Sequence, residues 1–502
     1  MIFSDPMFFL VFLPLTLIGF AIAGRFGRRA TIGLLVVASL IFYAQWQKVY
    51  TAILVGSILF NFMVSRLIAG SKGRERVQTG WLTFGIVANL ACLGYYKYLF
   101  PFLKYTTGLG VTHHDFGSIV LPLGISFFTF TQIAYLVDLK QGVAEPESVL
   151  SYFFFVTYFP HLIAGPILHH KEIMPQVREE RRYGLNSADF ALGLTWFTMG
   201  MFKKVMIADE ISYLVDPTFT NPHAMGAWTS WLSVLAYALQ LYFDFSGYSD
   251  MALGLARMFS IKFPLNFNSP YKASSIIDFW QRWHMTLTRY IMAYLYSPLL
   301  FWISARRQDK GKKVSRKAQA TVEGFTQMIA APTIFTLFVA GVWHGAGFKF
   351  LVYGLMHGFY ITINHAWRTF LPAEGRARKL VSGPVAVALT FVCALAAFVV
   401  FRAASLGDAM GIYAGMLGRH GMGSGWTHNE MAMMVVLFGI VWLVPNTQEI
   451  LGETQKEDES NWSAVRVPVW TPNLVWCLGS AVAFIVSAAY STGASTFLYF
   501  QF

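Results

Sequence analysis

Apolar residues in this chain come in blocks long enough to cross a bilayer. Residues 7–23, 31–47, 51–69, 119–139, 384–401 and 473–490 are such blocks, and about 17–25 apolar residues suffice for one transmembrane helix. Only helices and closed barrels satisfy their backbone hydrogen bonds within hydrocarbon. A barrel would show alternating segments of about ten residues, and this chain does not. The fold class expected is therefore an all-α polytopic membrane protein. Composition agrees: 55% of the 502 residues are hydrophobic and 13% are charged, about half the charged share of a soluble domain. A water-soluble enzyme is disfavoured.

The formal net charge is +12, which raises a nucleic-acid partner, but the distribution of the charge speaks against one. Basic residues fall in short runs between apolar blocks: Arg25, Arg28 and Arg29; Lys72, Arg74 and Arg76; Lys171 to Arg182; Arg306 to Lys317; and Arg376 to Lys379. That pattern marks cytoplasmic loops. Placing the runs on one side gives about twelve crossings, at 7–23, 31–47, 51–69, 81–100, 119–139, 189–207, 229–245, 327–343, 348–366, 384–401, 431–446 and 473–490, within a range of about 11–13. Both termini then face outward, and 7–23 reads as a retained helix because no positive region precedes it. Stretches 149–168 and 286–303 fit re-entrant or interfacial segments; Pro160, Gly165 and Pro166 break the first. Lys203 and Lys204 stand at an outer end, against the charge rule. No solenoid repeat or long linker separates a soluble domain, so 1–502 reads as one membrane domain. Cys92, Cys393 and Cys477 lie in apolar segments without metal-ligand spacing, which disfavours structural disulfides.

Three constellations can carry chemistry. Residues 266–290, NFNSPYKASSIIDFWQRWHMTLTRY, are too polar and aromatic for a lipid-facing helix. Ser274 or Ser275 can cap a helix bearing Asp278 and Arg282 at i,i+4, and Trp280 and His284 share that spacing, so the indole is expected against the imidazole. Lys272, Arg282 and Arg289 suit a phosphate-rich substrate such as a coenzyme A; an ordinary basic loop with an interfacial tryptophan belt fits the same residues. The second constellation is Trp343-His344-Gly345, with no Asp, Glu, Lys or Arg between Glu323 and Phe348. An ionisable residue in such a setting is a functional candidate, and imidazole suits general-base work. A neutral histidine tied to a backbone carbonyl fits equally. Other histidines, among them His161, His169, His170, His357 and His365, match no compact zinc spacing, so no metal is expected. The third is 240–250, QLYFDFSGYSD, which puts Asp244, Ser246, Tyr248 and Asp250 at the end of an apolar helix, either to orient a catalytic histidine or to pair with Arg257, Lys262 or Arg282. The final FLYFQF places Tyr499 either as an interface anchor or as a phenol reaching into a membrane cavity.

Taken together, these stretches resemble the membrane-bound O-acyltransferases, in particular their bacterial polysaccharide-acetylating branch. The resemblance rests on MIFSDPMFFLVFLPL at the start, LPLGISFFTF (121–130), YFPHLIAGPI (158–167), MGMFKKVMIAD (199–209), YFDFSGYSDMALGLARMFSI (242–261), NFNSPYKASSIIDFWQRWHMTLTRYI (266–291), VWHGAGFKFLVYGLMHG (342–358) and FLYFQF (497–502), which span nearly the whole chain. It implies a curved helical bundle with a central tunnel between cytoplasmic and outer funnels. The family's catalytic histidine falls on His344 and its second signature position on His284. Tyr499 resembles the tyrosine of the short aromatic motif thought to carry the acyl group in a related D-alanyl transfer system.

The resemblance further implies acetyl-CoA as cytoplasmic donor, no bound cofactor, and transfer across the bacterial inner membrane. A periplasmic SGNH-type acetyltransferase and other exopolysaccharide-modification proteins would be the partners, with membrane lipids around the chain. Alginate or cellulose is the expected polymer, ahead of peptidoglycan. Around the histidines, Asn268, Asp278, Arg282, Trp283, Trp343, Asp244 and Tyr248 are the expected donor- or substrate-binding residues. A transporter or non-catalytic scaffold is the competing reading; the absence of matching halves with broken helices weighs against a transporter.

Overall fold

The fold is that of a computed structural model, which describes residues 2–46, 48–108, 121–179, 183–372, 374–454, 463–491 and 497–498. Among these residues all regular structure is helical. The principal helices are α1 (Leu13–Gly24), α2 (Arg28–Ala44), α3 (Lys48–Gly70), α4 (Glu75–Gly94), α5 (Ile125–Gln141), α6 (Ser187–Phe202), α7 (Ala227–Met258), α8 (Ile276–Arg282), α9 (Met285–Ile291), α10 (Ala331–His344), α11 (Phe348–Phe370), α12 (Gly383–Arg402), α13 (His428–Leu443) and α14 (Leu474–Tyr490). Their ends carry the expected local signals. Asn186 caps α6 by accepting from the Ala188 and Asp189 amides, Thr427 and Glu430 form a capping box at α13, and Gly142 closes α5 at φ 74°.

Each crossing expected from hydropathy coincides with a helix. By length and composition, Lys48–Gly70, Glu75–Thr106, Val322–His344 and Gly383–Arg402 can span a bilayer; Phe8–Gly24, His428–Leu443 and Leu474–Tyr490 are apolar but shorter. Stretch 149–168 is broken, with helices at Val149–Thr157 and Phe159–Leu162 followed by irregular backbone. Stretch 286–303 is instead continuous helix from Met285 into Ser297–Asp309, through a π-helical segment. A larger departure is α7, which runs on to Met258. Asp244, Ser246, Tyr248 and Asp250 therefore lie within a helix, not at the end of one. Nothing in QLYFDFSGYSD stops a helix once its carboxylates are neutralised by neighbours.

The chain forms two compact units, each assembled from separated stretches. One comprises Met1–Met206, Asp244–Leu265 and Thr471–Phe502, the other Ile207–Phe243 and Asn266–Trp470. In the first unit α3 and α4 pack with α5, and α6 packs with α14. Lys204 pairs with Asp244 at 2.6 Å and Lys203 with Asp250 at 2.6 Å, while Trp196 donates its indole N–H to Asp250 at 3.1 Å. The two lysines that conflicted with the charge rule are thus partners of α7 carboxylates rather than loop charges. Arg257 pairs with Asp189 at 2.9 Å. In the second unit α10 and α11 form an antiparallel hairpin, and α12 packs along α11. The hairpin is close because Gly341 and Gly354 meet: a Cβ on Gly341 would stand 2.9 Å from the Gly354 Cα, and one on Gly354 would stand 2.4 Å from the Leu337 carbonyl oxygen.

Candidate active site

The second unit holds both His344 and His284, on elements that meet the same face of α12. His344 is the last residue of α10 and is buried. Its ring lies in an aromatic box: Trp343 at 4.8 Å, Tyr353 of α11 edge-on at 5.6 Å and 88°, and Phe401 of α12 at 5.3 Å and 87°. Such edge contacts fix the ring plane. The box forms because the hairpin returns α11 beside the end of α10.

His284 sits between α8 and α9. The helix Ile276–Arg282 begins where Ser275 accepts from the Asp278 amide, and it ends at Trp283, whose backbone is extended. His284 then takes a left-handed conformation, φ 45° and ψ 53°, which is uncommon for a residue with a side chain and concentrates at functional or tightly held positions. The break overturns one expectation from spacing: Trp280 and His284 do not stack one turn apart, because no helix joins them. Asn266 holds His284 instead. Its Oδ1 stands 2.9 Å from His284 Nδ1 and also accepts from the Thr286 hydroxyl at 2.9 Å and the Thr286 amide at 3.4 Å. An amide oxygen only accepts, so His284 Nδ1 carries the proton and Nε2 carries the lone pair.

Trp280 turns to a different imidazole. Its indole N–H, a donor only, donates to Nδ1 of His357 at 3.1 Å. Tyr353 lies 4.7 Å from the His357 ring and 5.6 Å from the His344 ring, so one phenol ring touches both. On α12, Phe398 packs 5.5 Å from Trp283 while Phe401, one turn on, packs against His344. One turn of α12 therefore joins the surroundings of His284 and His344. Trp283 also packs against Phe267 and Phe279.

The polar residues expected beside the histidines are held within the protein. Arg282 bonds Asp278 at 2.6 Å and the Asn268 carbonyl at 3.3 Å. The Asn268 side chain accepts from Asn446 at 3.0 Å. Lys272 donates to the Val444 carbonyl at 3.0 Å, and burial holds its ammonium below the usual lysine range. Asp244 and Tyr248 lie in the other unit, where they hold the end of the chain: Asp244 accepts from the Leu498 amide at 3.0 Å, and Tyr248 stacks on Phe497 at 4.7 Å. Tyr499 lies outside the described residues. Among the described residues no group of three or more His, Cys, Asp or Glu is placed to hold a metal ion. Asn266, Tyr353, Phe401 and the Trp280–His357 pair were missed as site residues by spacing; only His357, a histidine in an apolar stretch, offered the signal that singled out His344.

Residues 140–314 match the membrane-bound O-acyltransferase family. Over 449 residues the chain is 36% identical to the peptidoglycan O-acetyltransferase of Helicobacter pylori, covering 84% of this chain and 81% of that protein. Over 423 residues it is 35% identical to the probable alginate O-acetylase AlgI of Pseudomonas aeruginosa, covering 83% and 75%. A teichoic acid D-alanyltransferase of Bacillus subtilis is 28% identical over 313 residues, covering 61% and 73%.

Proposed function

The chain belongs to the membrane-bound O-acyltransferase family, and from that premise we propose that it takes acetyl from cytoplasmic acetyl-CoA and passes it across the bacterial inner membrane to O-acetylate a polysaccharide. The observation that carries the reading is His344, a buried imidazole boxed by Trp343, Tyr353 and Phe401 on the same helix hairpin that carries His357. Neutral His344 takes the proton of an acceptor hydroxyl as its oxygen attacks the thioester carbonyl carbon. The C–S bond then breaks, the new ester keeps the acetyl group, and the thiolate leaves with the proton from His344 as free coenzyme A. His284, with its lone pair on Nε2, positions the reacting groups together with Asn268 and Arg282, and Asp278 fixes the guanidinium of Arg282. Trp283 and Trp343 wall the site.

The acceptor hydroxyl in this reading is the phenol of Tyr499, and its support is the likeness of FLYFQF to the short aromatic motif of the related D-alanyl transfer system. A periplasmic SGNH-type acetyltransferase then moves the group to sugar hydroxyls. Alginate and peptidoglycan are the polymers named by the relatives, at 35% and 36% identity. Those similarities give no ground for placing alginate ahead, and none of them names cellulose.

The test is purified protein in nanodiscs with radiolabelled acetyl-CoA, reading coenzyme A release and protein-bound label. Label that requires both His344 and Tyr499 supports the relay. Label that requires His344 but survives Tyr499→Phe keeps the enzyme and removes the carrier. Coenzyme A release by folded His344→Ala at the wild-type rate sinks the mechanism, and the transporter or scaffold reading then returns.

A further inference from the structure

A buried N–H of His357 takes no part in the chemistry assigned to His344 and His284. His357 is fully buried on α11, and the Trp280 indole donates to its Nδ1 at 3.1 Å. That bond fixes the neutral imidazole as the Nε2–H tautomer, because an atom accepting a hydrogen bond carries no proton. Nε2 is buried and has no hydrogen-bond partner among the described residues. Native proteins leave few buried donors unmatched, and each calls for a reason.

The surroundings point to the reaction. Tyr353 touches both the His357 and the His344 rings, and Phe279 stacks parallel to His357 at 6.4 Å and 4°. On another side Tyr360 meets His357 at 5.9 Å, and Tyr360 also lines a cleft of about 380 Å³ with Asn364, Thr390 and Cys393. His357 thus shares Tyr353 with His344 and Tyr360 with the lining of the cleft. His284 and His357 are also held in opposite tautomers, one by an amide oxygen that accepts and the other by an indole that donates.

We propose that His357 is a third working imidazole of the site, donating its Nε2–H to the carbonyl oxygen of the acyl thioester. The inference rests on the acyl-transfer reading above. As the acceptor oxygen adds to the carbonyl carbon, negative charge gathers on the carbonyl oxygen and the preset N–H stabilises it. No proton leaves His357. When the C–S bond breaks the carbonyl re-forms, and His357 is unchanged. Trp280 is a positioning residue that keeps the proton on Nε2.

The experiment measures acetyl-CoA turnover by the full chain in nanodiscs for wild type, His357→Leu, His357→Gln and Trp280→Phe, with folding followed by thermal unfolding. His357→Leu is expected to lower kcat about 10²–10³-fold, the usual loss for one oxyanion donor, with KM for acetyl-CoA within about threefold. His357→Gln, which keeps an N–H donor and an oxygen for Trp280, is expected to recover at least about tenfold over the leucine variant. A structural tie to Trp280 would change unfolding temperature without that split between kcat and KM. Folded His357→Leu within twofold of wild type overturns the proposal, as does a glutamine variant no better than leucine. If the leucine variant fails to fold, Trp280→Phe decides: kcat reduced several-fold at unchanged KM supports the locked tautomer, and unchanged kcat overturns it. Wild-type protein that releases no coenzyme A marks failure of the acyl-transfer reading itself, whereas active wild type with indifferent His357 variants removes this inference alone.

Discussion

Asp244 and Lys204 close an ion pair at 2.6 Å with both side chains almost wholly buried. Asp244 also accepts from the Leu498 amide through its other oxygen, so one carboxylate neutralises a buried cation and anchors the end of the chain. Removing one partner of a buried pair leaves an uncompensated charge, at a cost on the order of 3–5 kcal/mol. Asp244→Ala is expected to lower the unfolding temperature sharply, and Asp244→Ala with Lys204→Met to recover much of the loss. The Leu498 amide should exchange with solvent faster in both variants. Equal stability of the single and double variants would contradict the pairing.

Asn266 sets the proton on His284. Asn266→Leu removes the acceptor for Nδ1 and for Thr286, leaving buried donors unmet at about 1–3 kcal/mol. Asn266→Asp keeps an acceptor at the same place. Coenzyme A release is expected to fall at least tenfold in the leucine variant and less in the aspartate variant, once rates are normalised to folded protein. Identical rates in both would show that the tautomer of His284 is immaterial.

Gly345 follows His344, and a Cβ there would stand 2.3 Å from the Phe350 ring. Gly345→Ala is expected to push Phe350 and, through Phe401, which packs 5.5 Å from it, disturb the box around His344. Turnover should drop several-fold and return in Gly345→Ala with Phe350→Leu, where the ring is gone. Failure of the second change to restore any activity would place the defect in the backbone.

Glu147 is a buried carboxylate outside the expected crossings. Burial raises its pKa, but bonds to His170 at 2.9 Å and Arg178 at 2.7 Å outweigh that and hold it below the usual carboxylate range. A carboxylate with a lowered folded pKa contributes stability above its unfolded value, near 4, and loses it as pH falls through the folded value. Glu147→Gln should therefore be less stable than wild type at pH 7, and the gap in unfolding temperature should narrow as pH drops below about 4. A gap that stays constant across that range would remove the charge from the account.

Much of the fold is legible from hydropathy alone, since every expected crossing has a helix and the chain of 149–168 breaks at Tyr158, just before Pro160, and again after Leu162, before Gly165 and Pro166. The candidate site is legible in part: His344 by an ionisable group in an apolar run, and the Ser275 cap and the Asp278–Arg282 pair by capping and i,i+4 spacing. Trp280 shows where such reasoning stops. Its spacing to His284 assumes a continuous helix, and the chain breaks at Trp283.

What the sequence determined by itself is the set of apolar stretches that must become helices, because hydrocarbon tolerates no unpaired backbone over that length. Motif resemblance added the family and singled out His344 and His284 as candidates. Only the tertiary structure decided which polar groups meet: Lys204 with Asp244, Asn266 with His284, Trp280 with His357, pairs separated by 40, 18 and 77 positions in the chain. Hydropathy and local spacing act over one or two helical turns. A buried donor or charge is matched to whichever acceptor the packing of distant helices brings within about 3 Å, and that choice is made by the fold as a whole.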